Sequence, residues 1–404
     1  MCPIFAFQKH SMTRRESLKR MVGLAAATLA APMINRGSFQ LFAQSAIKYS
    51  ARAIDLVQRS IILDMLNPFT LVGVLAPFKG DKRPTWFTNP ETFTAGDLQR
   101  FKDSGVTVMH IGVGTDGPNA FDQTMRFVGF WNGFIAHHSE HLIRVDDAQR
   151  IDRAKSSGKI GIIVGLQNSE HFRTVDDVDL FYRLGQRISQ LTYNTRNLIG
   201  NGSTERRDEG ISDFGVTIIE RMNKLGMAVD TAHCGDRTTL DAFEISKAPV
   251  LITHSNCRAL VPGHPRCKAD EAIKAMAAKG GVMGITGVRN FVASKEPTTI
   301  ENLLDHYDHV AKLVGVEHLG VGSDIDLDGY DALPADYQKW LKGGYKSTYA
   351  FRDKMDIEGA NHYKRIYDIT EGLLRRGYSD ANIELILGGN FRRVLGQIWG
   401  AKAA

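Results

Sequence analysis

Residues Ser212–His233 read SDFGVTIIERMNKLGMAVDTAH. Ser212 is a helix N-cap, Phe214, Ile218, Ile219 and Met222 fall on one helical face, and Gly226 stops the helix. Met227–His233 (MAVDTAH) follows as a short apolar run of the kind that forms a buried strand. The alternation extends both ways along the chain. Upstream, Ser60–Leu66, Val106–Gly112, Ile160–Leu166 and Ile188–Asn194 read as strands; downstream, Pro249–Ser255, Gly281–Val288 and His318–Ile325 do the same. Helical patterns occupy Phe121–His137, Glu271–Lys279, Thr299–Val314, His362–Arg376 and Asn390–Trp399. Strands alternating with helices to a count of eight predict an α/β fold, a (β/α)8 TIM barrel with insertions and an extra C-terminal helix. A doubly wound open sheet fits the same alternation. With no repeat and no linker, residues 47–404 read as a single domain.

The chain has 404 residues, 43% hydrophobic and 24% charged, which excludes a disordered or fibrous protein. Its formal charge is +5, but residues 1–46 carry six Lys or Arg and one acid, so the remainder is balanced at 44 basic and 44 acidic residues. Nucleic acid and anionic membrane are therefore not expected as partners of the body. Arg14-Arg15 ahead of the Ala-rich run Met21–Ala31 resembles a twin-arginine export signal, cleaved between about residue 31 and residue 46. It implies the export machinery as a partner and a periplasmic or otherwise exported destination. Cys2 would leave with that signal. Cys234, Cys257 and Cys267 remain, and the pairing of Cys257 with Cys267 is open.

In a barrel the chemistry sits at the C-terminal ends of the strands. Those ends are polar here: Asp64 and Asn67, Gln167-Asn168, Tyr193-Asn194, His233, His254, Arg289-Asn290 and Asp324. Two histidines on adjacent strands with an aspartate on the last suit a metal-assisted hydrolase, with imidazoles holding an ion and a carboxylate managing protons. Two other patterns are discounted. Gly112-Val113-Gly114-Thr115-Asp116-Gly117 matches a dinucleotide fingerprint but follows a second strand, not a first. Asp324–Gly329 begins like a calcium loop, but Ala335 stands where the bidentate glutamate is required.

Gly226–His233, Ala248–Ser255 and His264-Pro265-Arg266 resemble the membrane (renal) dipeptidase family of zinc peptidases. So do Leu191–Asn194, Val321–Asp324 and Gly388–Val394, in family order along nearly the whole chain. The resemblance implies an amidohydrolase-type barrel, a dipeptide substrate and a possible homodimer. By that resemblance His233 and His254 match the ligands of the second zinc, Asp324 the aspartate beside the catalytic water, and Arg266 the arginine that binds the substrate carboxylate. Asn194, Gln167 and Arg289 stand as further substrate contacts, and Tyr193 as an oxyanion donor where the family uses histidine.

The departures from the family are specific. Leu66 and Pro68 stand at the first-zinc histidine and aspartate, and Gln167 at the bridging glutamate. One zinc on His233 and His254 is the expectation, with Asp324, Gln167 or Asp64 as third ligand; none and two are the alternatives. His233 and His254 should bring ring nitrogens within roughly 4 Å of each other, and Arg266 should lie solvated at an open mouth. Residues 77–95 and 326–358 are the expected lid segments. The leading function is an exported dipeptidase-like metallohydrolase acting on a dipeptide or a small carboxylate-bearing amide or ester. A barrel repurposed for non-hydrolytic chemistry and a metal-free binding protein are the other two.

Overall fold

The computed structural model describes residues 38–40, 48–70 and 85–400. The export signal expected within residues 1–46 therefore lies, apart from Ser38–Gln40, outside the described residues. The chain divides into two compact units. The first, through Asp55, holds an antiparallel hairpin in which Ser38–Gln40 pairs with Lys48–Ser50. The second, from Leu56, holds the barrel.

Its eight parallel strands are β1 (Leu63–Asp64), β2 (Val108–Ile111), β3 (Ile160–Leu166), β4 (Ile188–Gln190), β5 (Ala228–Asp230), β6 (Ile252–Ser255), β7 (Met283–Ile285) and β8 (Leu319–Val321). Hydrogen bonding runs β5-β4-β3-β2-β1-β8-β7-β6. The gap between β5 and β6 closes through a bridge of Asp230 to Leu251, in which Leu251 donates to the Val229 carbonyl at 2.9 Å and Thr231 to the Leu251 carbonyl at 3.0 Å. The sheet is therefore a barrel and not an open sheet. Leu142–Arg144 adds a further parallel strand alongside β3.

The helices start and stop where their sequences say. Ser212 accepts from Gly215 N at 3.0 Å, and Gly226 ends that helix at φ 76°, a left-handed conformation that favours glycine. Thr299 and Asn302 cap the helix Ile300–Val314 reciprocally. The C-terminal helix Asn390–Gly400 packs Phe391, Val394, Leu395, Ile398 and Trp399 against Leu63, Val108, Ile188, Ala228, Leu251 and Val282, which lie at the N-terminal ends of the strands. It plugs the bottom of the barrel. A Cβ on Gly320 would sit 2.2 Å from the Phe391 ring, so glycine in β8 is what admits the plug.

Most strands are shorter than their apolar runs. Met227–His233 yields only Ala228–Asp230, and Ser60–Leu66 only Leu63–Asp64. The reason is that the residues just past each strand are buried too, now among the loops of the mouth, so burial outlasts the ladder. No helix among the described residues is long and apolar enough to cross a membrane.

Candidate active site

Three of the chain's positive-φ non-glycine residues border the mouth: Asn194 (φ 61°), Asp324 (φ 50°) and Ala350 (φ 55°). Asn and Asp tolerate this conformation better than most side chains. At Asp324 it turns the chain sharply off β8 while the backbone N–H donates to the Leu66 carbonyl at 2.8 Å. The Asp324 carboxyl accepts no hydrogen bond from any described residue and lines a cavity of about 300 Å³. Burial pushes it up to about 7, with the Arg266 charge acting against the shift.

Asp64, by contrast, is a structural clasp. It accepts from Ser323 N at 2.7 Å, Ser323 Oγ at 2.5 Å and Asn67 Nδ2 at 2.9 Å, pinning β1 to β8. It is not available as a third metal ligand.

His233 and His254 converge from β5 and β6, with their Nε2 atoms 2.9 Å apart. His233 Nδ1 meets Asn194 Oδ1 at 2.8 Å, and Ser203 Oγ donates to the same oxygen at 3.2 Å. His254 Nδ1 lies 2.8 Å from Thr253 Oγ1, which lies 2.6 Å from Asp230 Oδ2. Asn194 thus orients a histidine and does not line the cavity. Burial first, then the Arg266 charge, holds both imidazoles well below the ordinary histidine range. They are neutral. The Tyr193 ring, which does line the cavity, stacks on His233 at 4.2 Å between centroids, and its hydroxyl pairs with that of Tyr345 at 2.6 Å. Burial, then Tyr345, raises the Tyr193 hydroxyl, so it stays protonated and able to donate.

Two arginines lie elsewhere than expected. Arg266 is fully buried, not solvated. Its Nη1 donates to the Ala232 carbonyl and its Nη2 to the His254 carbonyl at 3.4 Å, with the guanidinium 5.1 Å from the Phe291 ring centroid. It sits behind the histidine pair and braces the loops that present it. Arg289 opens a short helix after β7. Its Nε donates to Glu296 at 2.9 Å, and another nitrogen donates to the Asp356 carbonyl. Neither arginine lines the cavity.

The glycine-rich stretch after β2 also has a steric role. A Cβ on Gly112 would meet Gln167 at 3.3 Å, and one on Gly114 would meet the Tyr193 ring at 2.9 Å. The glycines make room for side chains from β3 and β4. The charged loop after β8 is held by Arg365, which donates to the Leu327 carbonyl at 2.9 Å. The three described cysteines are free and buried, so Cys257 and Cys267 do not pair.

Of the expected site residues, Gln167, Tyr193 and Asp324 meet in the cavity, joined by Pro68. Leu66 is buried beside it. The remaining lining is apolar and rich in rings. Phe127 and Trp131 come from the helix Ala120–His137, and Tyr330, Trp340, Tyr345, Tyr349 and Phe351 from the segment after β8. Nothing at the strand ends announced these rings; the signal was six aromatic residues between 330 and 351 in a segment expected to form a lid.

A family metal does not fit these residues. Among the described residues no three His, Cys, Asp or Glu side chains are grouped to hold an ion. The two Nε2 atoms that would face it are engaged with each other, Gln167 donates its amide to the Gly112 carbonyl at 3.0 Å, and the nearest strong charges are the buried cations Arg266 and Lys268. Two neutral donors beside two cations fall short of the three ligands of a catalytic zinc.

The family model for membrane dipeptidase (peptidase family M19) matches residues 51–342. A curated dipeptidase, verJ of Clonostachys rogersoniana, is 30% identical over 278 residues, 68% of this chain and 65% of its own length. The chain spans between 44% and 65% of the length of three such relatives. Among solved structures, an amidohydrolase from Pseudomonas aeruginosa is 30% identical with a TM-score of 0.73, covering 86% of this chain and 99% of that one. A metallo peptidase from Rhodobacter sphaeroides, liganded with a phosphinate mimic of the dipeptide L-Ala-D-Ala, is 18% identical with a TM-score of 0.68, covering 84% of this chain and all of that one, and shows a shared fold. By the family model and these likenesses, the chain belongs to the membrane dipeptidase family.

Proposed function

We propose that the chain is a hydrolase of the dipeptidase type that cleaves an amide or ester bond in a dipeptide or small peptide-like molecule. The observation that carries this reading is the Asp324 carboxyl, which faces the cavity with no hydrogen-bond partner among the described residues. A carboxyl that titrates near neutrality suits proton transfer in both directions. It takes a proton from the attacking water and returns it to the leaving amine or alcohol. The Tyr193 hydroxyl, backed by that of Tyr345, donates to the carbonyl oxygen as negative charge develops there. His233 supports the Tyr193 ring from behind. Because the donor set is incomplete for zinc, no step in this scheme runs through a metal.

The test is product analysis with a panel of dipeptides and their amides, run beside metal determination on the purified chain. Free amino acid released by metal-free protein, undiminished by a chelator, is the expected result. Activity that vanishes with the chelator and returns with zinc would replace this mechanism with a metal-dependent one. The incomplete donor set also favours a second reading, a barrel that binds its ligand without cleaving it; absence of product from every bound compound selects that one. Export is proposed from Arg14-Arg15 and the Ala-rich run Met21–Ala31 that follows. Replacing both with lysine should retain the precursor in the cytoplasm, and normal export of that variant would overturn it.

A further inference from the structure

The cavity has two unlike components. One is a set of rings from two parts of the chain: Phe127 and Trp131 from the helix after β2, and Trp340, Tyr345, Tyr349 and Phe351 from the segment after β8. The second group is already ordered against itself. Tyr345 and Tyr349 stack at 4.4 Å, and Phe351 lies 5.0 Å from Tyr349 and 5.3 Å from Tyr345, centroid to centroid. Trp340, on the helix Ala335–Gly343, is 54% exposed yet lines the cavity, so an indole stands at the rim where a ligand would enter. The other component is charge. Among the described lining residues Asp324 is the one charged group, and none is Lys or Arg.

These features disfavour a small zwitterionic dipeptide. A free carboxylate drawn among these rings next to Asp324 would be desolvated with no described cation lining the cavity to meet it: Arg266 is buried outside the lining, and its two Nη atoms donate to backbone carbonyls. Ring faces, in contrast, gain both buried area and favourable quadrupole geometry from another ring. A hydrogen-bond donor next to that ring has the unpartnered Asp324 carboxyl to meet.

We infer that the cavity selects ligands in which an aryl ring adjoins a neutral amide or ester, and that a free carboxylate does not contribute to recognition. The inference names the substrate class for the hydrolase reading and rests on it for the reaction, but not for binding. The ring packs among the lining rings, and the adjoining N–H or O–H points to Asp324.

The experiment measures binding by calorimetry on the full chain with three probes: N-acetyl-L-phenylalaninamide, N-acetylglycinamide and N-acetyl-L-phenylalanine. The phenylalanyl amide should bind at least about tenfold tighter than the glycyl amide, the scale expected for burying one aromatic ring, and at least as tightly as the phenylalanyl acid. Trp340→Ala should weaken the phenylalanyl amide about three- to tenfold with an unchanged Tm, since that indole is half in solvent. Equal affinity for the glycyl and phenylalanyl amides, tighter binding of the acid, or no binding of the phenylalanyl amide overturns the inference. Hydrolysis is scored separately with the matching peptides. A bound aryl amide whose peptide counterpart is never cleaved removes the hydrolase reading and leaves the aryl site. Alanyl-alanine cleaved as fast as phenylalanyl peptides does the reverse.

Discussion

The mouth of this barrel has two sides that obey different rules. Across β5 and β6 Asp230, Thr253, His254, His233 and Asn194 form one buried chain of hydrogen bonds, with Arg266 behind it holding two carbonyls through its Nη atoms and leaving its Nε without a partner. Across β1 to β3 the corresponding positions hold Leu66, Pro68 and Gln167, and the cavity they border is ring-lined and nearly uncharged. The difference teaches how a histidine pair persists without its anionic counterpart. Two neutral imidazoles can share one Nε2 proton and partner every ring nitrogen when Asp230 carries a proton, which burial favours, so that donation runs one way from Asp230 through Thr253, His254 and His233 to Asn194, and the buried guanidinium beside them disfavours their protonation. On the proposed mechanism proton chemistry falls to the end of β8, where Asp324 is the one charged group among the described lining residues.

The strongest way to break this contrast is at Asp324. Asp324→Asn should lower kcat at least about a hundredfold, the lower end of what a positioned general base contributes. It should also stabilise the protein above neutrality. The folded carboxyl titrates at about 7, against about 3.9 in an unfolded chain. Its raised value means that this one carboxyl's contribution to stability is fully present below about pH 4 and is lost as pH rises to about 7, by about 2 kcal/mol once partial solvent access is allowed for. Buried neutral histidines such as His110, His171 and His306 make both proteins more stable as pH rises from 4, so the measure is the difference: in urea denaturation the variant should gain about 2 kcal/mol on the wild type between pH 4 and pH 8. A variant that loses activity with no change in the pH dependence of stability would place the carboxyl in water and not in the cavity.

Arg266→Met comes next and probes the buried side. It leaves the Ala232 and His254 carbonyls without their guanidinium donor, so stability should fall by about 3 kcal/mol. The histidines should titrate closer to their ordinary range once that charge is gone, which proton NMR of the imidazole C–H signals reads directly. An unchanged urea midpoint would return Arg266 to a solvated position.

Gly114→Ala tests the join between the two sides. The new methyl meets the Tyr193 ring at 2.9 Å and must displace it from His233, at about 1–2 kcal/mol for a small overpacking. A shift of the His233 ring signals marks the lost stacking. Unshifted signals would mean that the two rings are not in register.

The smallest effect is expected from Tyr193→Phe. It keeps the stack and removes one hydroxyl from the pair with Tyr345, for about 1 kcal/mol of stability and about a tenfold fall in kcat. Unaltered kcat would remove Tyr193 from the chemistry while leaving its packing role intact.

Much of the architecture was written locally. A strand followed by a capped helix is a short-range pattern, because 3.6-residue periodicity, a serine cap and a glycine stop act within a few residues of one another. Eight such units, the bottom-plugging helix from Asn390, and the strand-end positions of His233, His254, Tyr193, Gln167 and Asp324 all follow from it. What tertiary structure alone decided depends on residues far apart in the chain. Whether the sheet closes turned on one bridge between Asp230 and Leu251. Whether an arginine is solvated turned on which carbonyls fold over it, and Arg266 found two. Whether Phe127 and Trp131 are core or cavity wall turned on a segment far downstream that lines the same cavity with Trp340, Tyr345 and Tyr349. Sequence spacing sets the face of an element on which a side chain lies, but the environment that face meets, and with it the desolvation that tunes every charge at the mouth, is a property of the assembled barrel.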